Sequence, residues 1–146
     1  MKTYNQVLDQ IKTIAENHEQ INFYGEGDLW EIATSGTINY PVFWAQTITS
    51  ELENGQIGYG FTFLCMDIVQ TGEGNESDVL SDTLQVLTDV ISNLKWGNID
   101  EIDIDDVVFS PTPFTDRFTD QVSGWSIDVM IRTPFKWNKC EIPTIT

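Results

Sequence analysis

Carboxylates are the residues through which this sequence could do chemistry. Five of them, Asp100, Glu101, Asp103, Asp105 and Asp106, fall within residues 99–106. A calcium loop needs the pattern D-x-[DN]-x-[DN]-G followed by a later Glu. Asp103 and Asp105 match two of its ligands, but Val107 stands at the third ligand position and no glycine follows it. The run therefore reads as a solvated acidic edge that discourages stray strand pairing. His18, the single histidine, ends an apolar helical stripe and has no metal-ligand spacing around it, so it reads as a helix C-terminal cap favoured by the dipole. Cys65 and Cys140 fit no metal or redox spacing, and Cys65 lies in an apolar run as a small buried hydrophobe. Gly25-Glu26-Gly27 lacks the third glycine, the lysine and the long following helix of a phosphate loop. No G-x-S-x-G, P-loop or H-E-x-x-H occurs. An acid-only hydrolytic site lacks any group that stands out to stabilise an electrophile. The expectation is a protein without enzymatic activity, cofactor or metal.

The charge balance limits the partners. The 146 residues hold 23 acids and 7 bases, a net charge of −16 and a pI near 4.1. No Lys or Arg lies between Lys12 and Lys95, an interval with 13 acids. Phosphate recognition is carried by Lys and Arg, so direct nucleic-acid binding is disfavoured. An acidic surface suits a solubilised free protein, or a wall to which DNA does not adhere. With 40% hydrophobic residues and five Trp, the chain reads as one globular domain, 1–146. No apolar run approaches the roughly 18 residues of a membrane span. The start MKTYNQVLDQ reads as an amphipathic helix, not a signal peptide, and synthesis in the cytoplasm is expected.

These residues must be positioned by two helices and a sheet. Thr3 and Gln6 match a capping box for a helix over 3–18, whose stripe is Tyr4, Val7, Leu8, Ile11, Ile14, Ala15 and His18. Residues 20–40 read as a glycine-punctuated loop, with Asp28–Ile32 a single helical turn carrying Trp30 onto the sheet as a plug. The centre is Pro41–Val69: two strands of about 12 residues joined by Glu53-Asn54-Gly55-Gln56, where Asn-Gly is the strongest short-range hairpin signal. Arms of roughly 40 Å exceed a domain span of roughly 30 Å, so the hairpin should overhang its own core. Its aromatic base, Phe43, Trp44, Tyr59, Phe61 and Phe63, reads as core, and its polar tip as solvated or docked. A second helix over 77–95 has Ser77 as N-cap and Gly97 at its C-terminal end. Strands follow over 107–114, with two prolines marking an edge, and over 125–132. Residues 134–146 form an extension that holds Lys136, Trp137 and Lys139. The fold class expected is α+β, order α-β-β-α-β-β: an antiparallel sheet of four or slightly more strands, a long protruding hairpin, and both helices on one face.

With those elements in order, the chain resembles tailed-bacteriophage neck proteins, the tail terminators and tail-completion or head-tail joining proteins. The resemblance is carried by Met1–Asn17, GEGDLWEIAT at 25–34, Tyr40-Pro41-x-x-Trp44, SDVLSDTLQVLTDVISNL at 77–94 and GWSIDVMIRT at 124–133. It implies a structural virion protein, made in the host cytoplasm, that forms a homo-oligomeric ring of six- or twelve-fold symmetry in the neck. Such a ring contacts the neighbouring tail-tube and connector proteins, and genomic DNA passes its lumen without specific binding. The subunit interface would then include the tip, Thr49, Ser50, Glu51, Leu52, Glu53, Asn54, Gly55, Gln56, Ile57 and Gly58, together with Trp137. The alternative is a small acidic binding or inhibitor protein that captures a basic partner.

Overall fold

Helix α1 spans Tyr4–Glu16, and its start is fixed by the capping box. The Gln6 N–H donates to Thr3 Oγ1 at 3.3 Å, and the Thr3 N–H donates to Gln6 Oε1 at 2.9 Å, so two orphan donors are satisfied reciprocally. Val7, Ile11 and Ala15, spaced by four, are its buried stripe. Helix α2 spans Glu76–Trp96. Its N-cap is Asn75, not Ser77, and no side chain caps it; Glu76 and Asp78 place negative charge in the first turn instead. Gly97 closes the helix at φ −77°, an ordinary region, and the left-handed residue is Asn98 at φ 54°. Gly97 is needed for space, because a Cβ there would lie 2.3 Å from the Asn93 carbonyl oxygen.

The computed structural model describes residues 2–28, 39–69, 74–105, 109–117, 121–135 and 143. Within them the strands are β1 (Phe23–Glu26), β2 (Val42–Glu53), β3 (Gln56–Ile68), β4 (Asp103–Ile104), β5 (Thr112–Arg117) and β6 (Gln121–Pro134). They form one six-stranded sheet in the order β1-β2-β3-β6-β4, with β5 also on β6. The 14-residue β6 carries β5 along its first half and β4 near its end. All pairs are antiparallel except β1 with β2.

The α+β class and the two helices agree with the sequence reading, but the four-stranded antiparallel sheet does not. The sheet is mixed, because residues 23–26, read as loop, pair in parallel with Val42–Ala45. A second added strand, β4, lies inside the acidic run. The penultimate strand is Thr112–Arg117, not 107–114; Pro113 can sit in it because it pairs on one side only, with Trp125. The turn proposed at Asp28–Ile32, and the Trp30 plug with it, falls largely outside the described residues.

Both helices pack on one sheet face. Phe43 and Ala45 of β2, Phe61, Phe63 and Cys65 of β3, and Ile127, Val129 and Ile131 of β6 meet Val7, Ile11, Val86, Leu87 and Val90 there. Phe61 and Phe63 stack at 5.9 Å between centroids, and Phe43 lies 5.3 Å from Phe63. The opposite face has its own cluster, Val42, Trp44, Leu64, Met66 and Val122, against Phe23, Tyr40 and Phe114. Double-sided burial explains why the hairpin base is apolar on both faces. All five aromatic residues assigned to that base are buried.

Candidate functional site

The hairpin turns at Asn54-Gly55, with Gly55 at φ 86° and Glu53 paired to Gln56, as the Asn-Gly signal requires. The overhanging two-stranded ribbon expected from strand length is instead backed by β6 along all of β3, from Ile68 opposite Val122 to Gln56 opposite Pro134. The tip is thus three strands wide, which gives it a stability that an isolated hairpin lacks in water.

A register shift between Thr47 and Thr49 leaves Ile48 as an extra residue in β2. Such a bulge flips the alternation of every residue beyond it. Thr47 faces the helices opposite Phe61. Past the bulge, Thr49 and Glu51 oppose Gly60 and Gly58 on the other face, while Ser50 and Leu52 oppose Tyr59 and Ile57 on the helix side. Ile48 and Leu52 are left 53% and 62% exposed, large apolar side chains on otherwise polar ground.

One arginine organises this end of the sheet. Arg132 of β6 donates from Nε to Asp105 Oδ1 at 2.5 Å and from Nη2 to Asp105 Oδ2 at 3.0 Å, a bidentate grip. The same Nη2 donates to Glu51 Oε2 at 3.0 Å, and Nη1 lies 3.5 Å from Glu53 Oε1. The Asp105 hydrogen bonds raise the guanidinium pKa further, with burial opposing and Glu51 adding to them, so the group stays charged. The N-terminus straps the other face: the Lys2 N–H donates to Thr133 Oγ1 at 2.9 Å, and Tyr4 Oη and Thr47 Oγ1 share a 2.5 Å hydrogen bond.

Of the residues expected at an interface, Thr49 through Gln56 are all exposed, Ile57 is half-buried and Gly58 is buried. Trp137 lies outside the described residues. Sequence reasoning missed Arg132 and Ile48, and it weighed Asp105 as a calcium ligand and acidic edge, not as the partner of Arg132. The available signal was a lone Arg in the last strand of a chain with only 7 bases.

The other residues singled out for chemistry take the following places in the structure. His18 is no helix cap. Its Nε2 lies 2.8 Å from Asp89 Oδ2 of α2, while its Nδ1 accepts the Gln20 N–H at 3.1 Å. Accepting at Nδ1 places the proton on Nε2, so both ring nitrogens are engaged in joining α1 to α2. The pair borders a polar cleft of about 640 Å³ between Gln10, Thr13, Asn17, Gln85 and Asn93. Cys65 is fully buried, and burial pushes its thiol up to about 12. In the acidic run, Ile104 enters the core and Asp105 serves Arg132. Among the described residues no group of three or more His, Cys, Asp or Glu is placed to hold a metal, and no helix is long and apolar enough to cross a membrane. The chain matches no protein-family model, and no curated protein matches it in sequence.

Proposed function

We propose that the chain is a structural virion subunit that assembles into a homo-oligomeric ring in the neck of a tailed phage. There it ends the tail tube or joins it to the head connector. The observation that carries this reading is the tip: a three-stranded sheet end, pinned by Arg132, that exposes Ile48 and Leu52 beside a β2 edge that no strand among the described residues pairs with beyond Ala45. Open edges with apolar side chains invite strand addition, and an assembling subunit needs a surface of that kind. The charge supports the same reading. Glu51, Asp105 and Asp128 add acids to the face away from the helices. A ring walled by such subunits repels the DNA backbone and lets it slide.

Native mass spectrometry and negative-stain microscopy across a concentration series test the proposal. Ring-sized assemblies of one stoichiometry are expected, alone or on added tail tubes. Leu52→Asp should abolish them while circular dichroism stays native. A strict monomer in every condition sinks the proposal, and tight 1:1 capture of a basic protein moves the chain to the inhibitor reading. Deleting the tip is a poor test, because Arg132 and β6 depend on it.

A further inference from the structure

We infer that the cleft between α1 and α2 binds a neutral, hydroxyl-rich ligand of the saccharide class. The inference is independent of the ring reading and uses no residue of the hairpin. Two rows of side chains wall the cleft. Gln10, Thr13 and Asn17 follow one another by three and four residues along α1 and its C-cap, and Gln85, Asp89 and Asn93 by four along α2. Such spacing puts each row on one face of its helix. The space between them, about 640 Å³, falls inside the roughly 300–1,000 Å³ range of small-molecule sites.

The two rows do not satisfy each other. The apolar stripes of both helices turn to the sheet and leave polar side chains along this seam. Among the described residues, the His18–Asp89 contact is the only side-chain hydrogen bond that joins α1 and the turn after it to α2. Gln10, Asn17, Gln20 and Asn93 border the cleft, and their side-chain amides have no protein partner among the described residues. Asp89, in contrast, is set in place. His18 holds its Oδ2 at 2.8 Å and Gln85 its Oδ1 at 3.2 Å. An ionised carboxylate has about four lone-pair sites, so part of its accepting capacity remains, and its side chain is 41% exposed.

The lining selects the ligand. No Lys or Arg borders the cleft, while Glu19 and Asp89 do, so phosphates and carboxylates are repelled. Amides outnumber these acids, and among the described residues no group is placed to hold a metal, so a bare cation finds too few charged ligands. Ile14 is the only aliphatic side chain in the lining, and no Phe, Tyr or Trp is there, which disfavours an apolar ligand or a stacked base. An amide offers two N–H donors and a carbonyl acceptor without charge, and a carboxylate only accepts. Adjacent sugar hydroxyls, each both donor and acceptor, match that mixture. Asp89 accepts from one hydroxyl, and Asn93, one helical turn on, engages the next.

Side-chain amide signals in NMR spectra of the isotope-labelled full-length protein test this. Glucose, galactose, mannose and N-acetylglucosamine are titrated separately, with inorganic phosphate as the anionic comparison. At least one sugar should shift the amides of Gln10, Gln85 and Asn93 saturably, with a Kd on the order of 1 mM, since each new hydrogen bond replaces one to water. Gln10→Ala with Asn93→Ala should weaken that binding about tenfold. Circular dichroism should stay native, because neither side chain has a protein partner among the described residues and Ala favours helix. Absence of a saturable shift with any of these sugars overturns the inference. So does sugar binding that the double variant leaves unchanged, or phosphate binding that is tighter than that of every sugar. Rings that form without sugar binding remove this inference and leave the ring reading standing, while sugar binding by a strict monomer does the reverse.

Discussion

Arg132 and Glu51 form a 3.0 Å ion pair although a whole strand separates them. Arg132 is in β6 and Glu51 in β2, and Gly58 of β3 is the register partner of both. A side chain at Gly58 would occupy the path, since its Cβ would sit 3.1 Å from Arg132 Nη1 and 2.9 Å from Met130 Sδ. The glycine thus lets one long side chain lie across the sheet and tie three strands with the β4 segment. Arg132 is 14% exposed and Glu51 47%, so solvent screens this pair on one side and its strength falls between a surface bridge and a buried one.

Filling that path should cost stability. Gly58→Val is expected to destabilise by about 1–3 kcal/mol, because Met130 and Arg132 must move. Gly124→Ala should cost more, since its Cβ would lie 2.0 Å from the Cys65 carbonyl, and backbone cannot swing aside as a side-chain end can. Urea unfolding checks the order; equal midpoints for both variants would remove the space argument.

Removing the guanidinium should cost about 2 kcal/mol in Arg132→Met, between the values for exposed and buried pairs, with Asp105 left without its bidentate donor. Arg132→Lys should recover less than half of that, because an ammonium does not reproduce the planar fork. Thermal melts of the three proteins decide, and full rescue by lysine would contradict the bidentate geometry.

The bridge between the helices is neutral in the tautomer deduced for His18, with Nε2–H donating to Asp89. Asp89→Asn should therefore keep the bond from His18 through its amide oxygen and lose only the exposed 3.2 Å bond from Gln85, a small effect, while Asp89→Ala loses both and should cost about 1 kcal/mol. A large loss in the asparagine variant would indicate an imidazolium instead.

Asp67 should oppose folding at neutral pH. Burial raises its pKa above the ordinary 3.8, the Ile68 N–H opposes this, and Asp82 adds to it. A raised folded value means that its stabilising contribution is complete below 3.8 and is lost as pH rises through the folded value. Asp67→Asn keeps the acceptor for the 2.8 Å bond from Ile68 and should raise Tm at pH 7, with the gain vanishing in strong acid. A Tm at pH 7 equal to or below that of the parent would refute it.

Elements held by neighbours in sequence were legible from residues alone. The Thr3–Gln6 box, the i, i+4 stripe of α1, the apolar face of α2 and the Asn54-Gly55 turn each close within a few positions, so local sequence determined them. The aromatic base of the hairpin was legible too, because alternation and apolar content report burial directly. What tertiary structure decided depends on partners far along the chain. Strands of four and two residues, β1 and β4, have no periodicity of their own and exist because β2 and β6 supply their hydrogen bonds. The bulge at Ile48 reverses the faces of Thr49–Glu53, and no residue pattern announces it. Arg132 meets Glu51 across 81 positions, through space that Gly58 leaves open. Composition set the acidic charge and local pattern the two helices and the long hairpin; only the pairing of β6 with β3 made that hairpin a braced, three-stranded end.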